Sequence, residues 1–375
     1  MRYKWFPAVV ILLAACWWLW HASYAEYHTL VHVVVVLLGV ISIGLWFLFY
    51  GGTSRRGRIA TVATLASGLV AFFVAFRPVY NGDMGVYRWR LRFAKSDDAS
   101  LRPIDSTDGI ADLEPTPHDY PRFLGNGYWP EVKHVNLETD WAAHPPQELW
   151  RHEIGGGWSS FAIVGEYAFT QEQRGDDELV TCYRVQTGEP VWTHADKTRF
   201  DPADAIGGLG DIGPRATPTV IGGHVFTQGG TGIVNCLDAR TGTVVWTQDT
   251  ASEFRAPVAT WGKAGSPLIV DDTVVVSVGA PPPTEFGTAK DTAYDHSLVA
   301  FDITTGSVRW HAGNRPASYA SPVLATMAGE RQIIVVNESW VTSHRADDGK
   351  VLWEYPWSDP RDSSASCSQP VPLDG

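Results

Sequence analysis

Along the C-terminal two thirds of the chain, short apolar runs of strand length alternate with Gly, Asp, Thr and Pro, and the runs recur in register with one another. Four of them lead into a Gly turn followed by a Trp: Thr187-Gly188 to Trp192, Thr241-Gly242 to Trp246, Thr305-Gly306 to Trp310 and Asp348-Gly349 to Trp353. Each Gly stands four residues before its Trp, and successive Trp are 54, 64 and 43 residues apart, the period range of four-stranded propeller blades.

The copies agree beyond the Trp. Ten residues before each Trp stand Cys182, Cys236, Ala300 and Ser343, a small column, and twelve before stand Val180, Val234, Leu298 and Val341, a branched apolar one. Residues two apart on a strand share a face, and sheets that pack on one another need such alternating layers. The Gly supplies the positive φ of a hairpin loop, and the Trp closes the outermost strand. Burying one indole removes roughly 150–250 Å² from water, an upper bound of about 4–6 kcal/mol per blade.

A second signature opens each repeat. Thr217-Pro218, Ser266-Pro267 and Ser321-Pro322 precede an apolar run, a turn at Gly222-Gly223, Asp271-Asp272 or Gly329, and a second apolar run; Ser160-Phe161 is the same column without Pro. Pro is tolerated where pairing has not begun. The predicted order is strand, turn, strand, loop, strand, Gly turn, Trp strand, a four-stranded antiparallel meander. Gln369-Pro370 begins the pattern a fifth time before Asp374-Gly375. Four blades and a stray strand do not close a ring, so closure is expected from further residues of a longer chain or from another chain.

Residues 1–80 read differently. Apolar stretches at 5–24, 30–50 and 59–76 approach the roughly 20 residues that span a bilayer and predict three transmembrane helices. Trp17, Trp18, Trp20, Tyr24, Trp46, Phe49 and Tyr50 suit interfacial belts. A secretory signal cleaved near Ser23-Tyr24-Ala25 is the alternative for the first stretch. Arg2, Lys4, Arg55, Arg56 and Arg58 favour a cytoplasmic N-terminus and place the repeats outside the cytoplasmic membrane, periplasmic or otherwise extracytoplasmic; Arg77, Arg88, Arg90, Arg92 and Lys95 weigh five against five on the other side. Residues 81–141 form a juxtamembrane segment and linker, solvated from Ser96 by its Pro, Asp, Thr and Glu, and 142–375 the repeats.

Charge divides the chain similarly. Residues 1–95 hold ten Lys and Arg against two acids, and the remainder holds 19 against 39. An acidic repeat region excludes nucleic acid as a partner, because phosphate neutralisation needs Lys and Arg. Of the four cysteines, Cys16 lies in a predicted span, and Cys182 and Cys236 fill packing positions on blades too far apart for a disulfide.

In a meander the first and third connections of each blade emerge on one face, here the short GG, DD and TG turns. The opposite face carries Gly155 to Trp158, Gln171 to Glu178, His194 to Arg215, Gly229 to Gly232, Ala280 to His296 and Asn337-Glu338, the polar, Gly-rich loops where binding residues gather. Trp158, Glu172, Arg174 and Arg215 are the ligand-binding candidates: two guanidiniums from consecutive blades could grip a carboxylate, and the indole offers a stacking surface. Equally, Arg174 could pair with Asp176, Asp177 or Glu178, and Arg215 could tie a loop to a neighbouring blade. No HExxH, GxSxG or P-loop occurs, and no catalytic or metal-ligating residues are assigned.

LDARTGTVVW (Leu237 to Trp246), FDITTGSVRW (Phe301 to Trp310), Gly157 to Gly175 and Gly213 to Gly242 resemble the pyrroloquinoline quinone (PQQ)-like β-propeller repeats of membrane-anchored bacterial quinoprotein-like proteins, over about residues 118–375. The resemblance implies an all-β propeller, eight-bladed when complete. Members with dehydrogenase activity hold PQQ and Ca²⁺ with a disulfide between adjacent cysteines, carboxylate and amide ligands and an Asp base, whereas no two cysteines are adjacent here. Other members bind proteins without cofactor. The reading reached from the sequence is a membrane-tethered binding or assembly scaffold without a cofactor, in contact with membrane lipid and a protein partner. A membrane-bound PQQ-dependent dehydrogenase of alcohols or sugars is the alternative, and a polysaccharide-binding module the second.

Overall fold

The computed structural model describes residues 54–80, 86–94, 98–101, 104, 109–111, 113–125, 135–202, 212–280, 295–357 and 366–373. Contacts divide the chain into a small unit, Met1–Ala94, and a large one beginning at Lys95. The predicted spans at 5–24 and 30–50 lie outside the described residues. The third corresponds to α1 (Arg55–Ala75), the one helix among the described residues long and apolar enough to cross a membrane, with no residue buried. It begins four residues earlier than the apolar run because Ser54 caps it, its hydroxyl accepting from the Gly57 amide at 3.2 Å. It ends at Ala75, where Phe76 turns extended and opens a hairpin of β1 (Phe76–Tyr80) and β2 (Val86–Leu91).

The large unit is all-β. Four four-stranded antiparallel sheets follow one another, each a simple meander. The first holds β3 (Ala162–Val164), β4 (Tyr167–Arg174), β5 (Asp177–Arg184) and β6 (Pro190–Asp196). The second holds β7 (Thr219–Ile221), β8 (His224–Gln228), β9 (Ile233–Asp238) and β10 (Val244–Asp249). β11 (Leu268–Val270), β12 (Thr273–Ser277), β13 (Leu298–Asp302) and β14 (Val308–Ala312) make the third. β15 (Val323–Met327), β16 (Glu330–Val336), β17 (Trp340–Arg345) and β18 (Val351–Pro356) make the fourth. The predicted strand order is the observed one.

The register explains the columns. Trp192 pairs with Cys182, Trp246 with Cys236, Trp310 with Ala300 and Trp353 with Ser343, each beside a register shift. A small residue opposite the indole leaves the width that a neighbouring sheet needs. The apolar cores lie between successive sheets: Phe169, Val180 and Trp192 pack with Val220, Val225 and Leu237, and Phe226, Val234 and Trp246 with Val274, Val276 and Phe301. Cys182 and Cys236 are free, buried thiols in this packing.

The Trp anchors the following blade as much as its own. A Cβ on Gly242 would overlap the Trp192 indole, one on Gly306 that of Trp246, and one on Gly349 that of Trp310. Trp192 Nε1 donates to Ala239 O and Trp246 Nε1 to Ile303 O, both at 3.0 Å and both three residues before the Gly. Gly is required twice over there, by its positive φ and by the ring resting on its bare Cα. Gly188 receives Trp150 in the same way, with Trp150 Nε1 donating to Val185 O at 2.8 Å. Trp150 therefore occupies the place of a preceding sheet's Trp, a fifth member that the Gly-to-Trp spacing did not reveal. Trp353 differs from the others: it is 37 % exposed, against 1 % for Trp192, and its N–H turns back to Gln332 Oε1 in its own sheet at 3.0 Å.

Two expectations are corrected. Gln171 to Glu178 is not a long loop. β4 runs to Arg174 and β5 starts at Asp177, with Gln171, Glu172, Gln173 and Glu178 buried. Gln171 spends its polarity on a bond to the next sheet, Nε2 donating to Ala216 O at 2.7 Å, as Gln228 of the second sheet does to Ser277 O at 3.1 Å. Nor is the stretch after Ser96 wholly solvated. Tyr120 pairs with Ile163 as an isolated bridge, the Val220 amide donates to Pro121 O, and buried Asp98 accepts from Arg199 Nη1 at 2.7 Å and from the Gly175 amide at 3.0 Å.

Candidate functional site

The residue before each leading strand's Pro is confined to extended backbone, and these residues are linked from sheet to sheet. The Thr217 amide donates to Ser266 Oγ at 2.9 Å, the Ser266 amide to Ser321 Oγ at 2.9 Å, and the Ser321 amide to Gln369 Oε1 at 3.1 Å. Gln369 Nε2 returns a bond to Ser321 O at 2.8 Å. Gln369 thus continues the column, as the fifth repeat start predicts.

Two residues upstream of this column stand Trp158, Arg215, Ala264, Tyr319 and Cys367. Trp158 is held by its amide, which donates to Pro214 O at 2.8 Å, while its indole is 61 % exposed. Arg215 Nε donates to Trp261 O at 2.5 Å, and its guanidinium lies 6.0 Å from the Phe200 ring centre. Trp261 meets Tyr319 edge to face at 6.0 Å, and its amide donates to the Tyr319 hydroxyl. Burial raises the Tyr319 phenol, with Glu338 and Cys367 adding to the rise and Arg215 opposing it; burial also raises Glu338. Trp261, Tyr319 and Cys367 were not singled out from sequence, and Glu338 stood there only among the loop-face residues. For Tyr319 and Cys367 the signal was the column itself, two positions before Ser321 and Gln369.

The four sequence candidates fall into two groups. Glu172 and Arg174 meet: Arg174 Nε donates to Glu172 Oε2 at 2.9 Å, and Glu172, wholly buried, also accepts from the Gly155 amide (2.5 Å), Thr181 Oγ1 (2.8 Å) and the Tyr183 hydroxyl (2.6 Å). Arg174 thus pairs with the carboxylate two residues upstream rather than with Asp176 to Glu178. Four donors on one carboxylate make a bracket for the Gly155–Gly157 loop. Arg215 reaches the other way, to the lead of the third sheet, and ties neighbouring sheets together. The two guanidiniums serve different partners.

Other buried charges of this end are also bonded to backbone. Glu178 Oε2 accepts from the Gly230 amide at 3.0 Å, and burial first, then the Asp196 charge, raises its carboxyl to about 7 against that bond. Lys263 Nζ donates to Pro257 O at 2.8 Å and to Val278 O, and burial lowers its ammonium to about 8. These groups hold the loops in place.

Residues 176–371, just over half of the chain, match the family model described as outer membrane protein assembly factor BamB. The chain belongs to this PQQ-like β-propeller repeat family. Similar solved structures include quinohemoprotein alcohol dehydrogenase ADHIIG from Pseudomonas putida HK5 (17 % identity over 55 % of this chain and 35 % of that one, TM-score 0.38). A europium-containing methanol dehydrogenase is also similar (16 %, 66 % and 50 %, TM-score 0.44), as is BamB from Moraxella catarrhalis (19 %, 54 % and 60 %, TM-score 0.31). The chain spans between about a third and three fifths of the length of these proteins. A comparison with curated proteins finds no match.

Quinone-dependent members of the family prompt one test of fit. Among the described residues, no three His, Cys, Asp or Glu side chains come together as a cation site. The described cysteines are two buried thiols in separate sheets and Cys367 at a different position in the repeat. Glu172, the most enclosed carboxylate of this end, already accepts four hydrogen bonds. The described residues do not fit a quinone–calcium group.

Proposed function

We propose that this protein is a membrane-tethered β-propeller that binds a partner protein as a scaffold on the extracytoplasmic side of the cytoplasmic membrane. The observation that carries this reading is the division of labour at the loop end. Its buried charges, Glu172, Arg174, Glu178 and Lys263, are bonded within the fold, whereas the Trp158 indole stands exposed near a column of residues that also holds Arg215 and Tyr319. An exposed Trp on a rigid frame, beside the half-buried Arg215, is the kind of side chain that dominates protein interfaces. The apolar helix α1, with no residue buried, supports anchorage, and the reading takes residues 5–24 and 30–50 as two further spans.

Crosslinking in intact membranes with a photoreactive residue at position 158, followed by identification of the adduct, tests this reading. A discrete protein adduct lost on Arg215→Glu is expected. Stoichiometric uptake of PQQ in the presence of Ca²⁺, seen as cofactor absorbance on the purified full chain, would overturn it, as would an adduct with glycan alone.

A further inference from the structure

The leading strand of each sheet is an edge strand, and β3 lies against β7 and β11 against β15, so these strands line the axis of the four sheets and turn one backbone edge toward it. Amides on such an edge need partners. One short segment supplies them. The Tyr120 amide donates to Ile163 O at 2.9 Å and the Ile163 amide to Tyr120 O at 2.8 Å; at the matching place of the second sheet the Val220 amide donates to Pro121 O at 2.8 Å. Arg122, Phe123 and Leu124 then share a cavity of about 40 Å³ with Ser266 of the third sheet, Ser321 of the fourth and Gln369. Between Asp119 and Gly125 the chain thus reaches all four sheets.

The segment is shaped for this place. Asp119 Oδ1 accepts from the Gly165 amide at 2.9 Å and fixes its entry beside a short turn. The Gly125 amide donates to Arg122 O at 2.9 Å, Arg122 Nε donates to Gly125 O at 2.8 Å, and the Tyr120 ring rests on the bare Cα of Gly125. Leu124 has φ +64°, a left-handed backbone that a residue of its bulk keeps only where its surroundings determine it. The leading strands run from the loop end to the short turns, so Ser266, Ser321 and Gln369 mark their loop end, and Trp158, Arg215 and Tyr319 stand on the mouth side of that column. The segment therefore enters from the short-turn side and stops beneath the mouth. We propose that residues 119–125 are an internal plug of the axis and the floor of the loop-end mouth, a positioning element that sets how Trp158, Arg215 and Tyr319 are presented to a partner. The inference rests on the reading of the loop end as the partner site.

The test replaces residues 119–125 in the full chain by a Gly-Ser segment of equal length and follows amide hydrogen exchange. The Ile163 and Val220 amides should exchange roughly tenfold faster or more, and with them the Trp158 and Ser321 amides of the mouth, while Val180 and Val234 in the central strands β5 and β9 keep their protection. A synthetic peptide of residues 113–125 added in trans should restore slow exchange, which a general loss of stability would not allow. Unchanged exchange at Ile163 and Val220 would overturn the plug; faster exchange there with Trp158 and Ser321 unmoved would overturn the floor. Tyr120→Gly, which removes only the ring on Gly125, is read by the same criteria if the replacement does not fold. Crosslinking from position 158 separates the two readings. A wild-type adduct lost in the variant supports the floor, and one that persists unchanged overturns it. Absence of any wild-type adduct removes the partner reading, and the exchange pattern then decides the plug and floor by itself.

Discussion

Replacing Gly242 by alanine isolates the contact on which the repeat depends. Gly242 has φ +71°, and a Cβ there would overlap the Trp192 indole, whereas Gly222 has φ +58° with nothing within 4 Å of the added carbon. Both substitutions carry the left-handed backbone penalty of roughly 1–2 kcal/mol. Only Gly242→Ala adds the overpacking of a fully buried ring, roughly 1–3 kcal/mol more. At about 2–4 °C per kcal/mol for a domain of some 150–250 residues, G222A should lower the melting temperature of the full chain by roughly 2–8 °C and G242A by a further few degrees or more. Thermal unfolding followed by tryptophan fluorescence reads both. In a Trp192→Ala background, itself costing about 3–5 kcal/mol, the excess of G242A over G222A should vanish, a coupling of about 1–3 kcal/mol. An excess that persists without the indole, or G242A no worse than G222A, would refute the docking of each Trp on the next blade's Gly.

Glu172→Ala should cost about 3–5 kcal/mol, because Arg174 loses its buried partner and the Gly155 amide its acceptor; normal stability with loss of partner crosslinking would instead make Glu172 a ligand contact. Glu178, raised to about 7 from an ordinary 4.5, binds more protons in the folded than in the unfolded chain between those values, so its contribution is present below pH 4.5 and lost as pH rises through 7. The loss is on the order of 3 kcal/mol, and urea unfolding of Glu178→Gln should lack that fall between pH 5 and 8. His344, buried and bonded to Gly349 O at 2.9 Å, is lowered chiefly by burial and acts oppositely: its neutral form stabilises fully above pH 6.5 and destabilises as pH falls below it, so His344→Asn should flatten the acid limb. Gln369→Ala should cost about 1–2 kcal/mol, since both bonds to Ser321 go, and the fourth sheet should exchange its amide hydrogens faster than the first.

What could be read from residue order was whatever depends on local spacing. The Gly-to-Trp interval, the small column ten residues earlier and the pre-proline column each report one strand's geometry; all four sheets carry the first two, and three of them the Pro, in the observed order. The apolar length of α1 is likewise a local property. The tertiary structure decided which groups meet across sheets. Trp192 rests on Gly242 some 50 residues away, Glu172 gathers donors from two strands and a loop, and Asp98 reaches Arg199. The polar run Gln171 to Gln173 looked like a loop because polarity in sequence signals solvent, while in the fold the Gln171 amide reaches the next sheet and the Gln173 amide holds the loop after β6. A hydrogen bond between sheets leaves no spacing in the chain that makes it, so partnership had to wait for the packing.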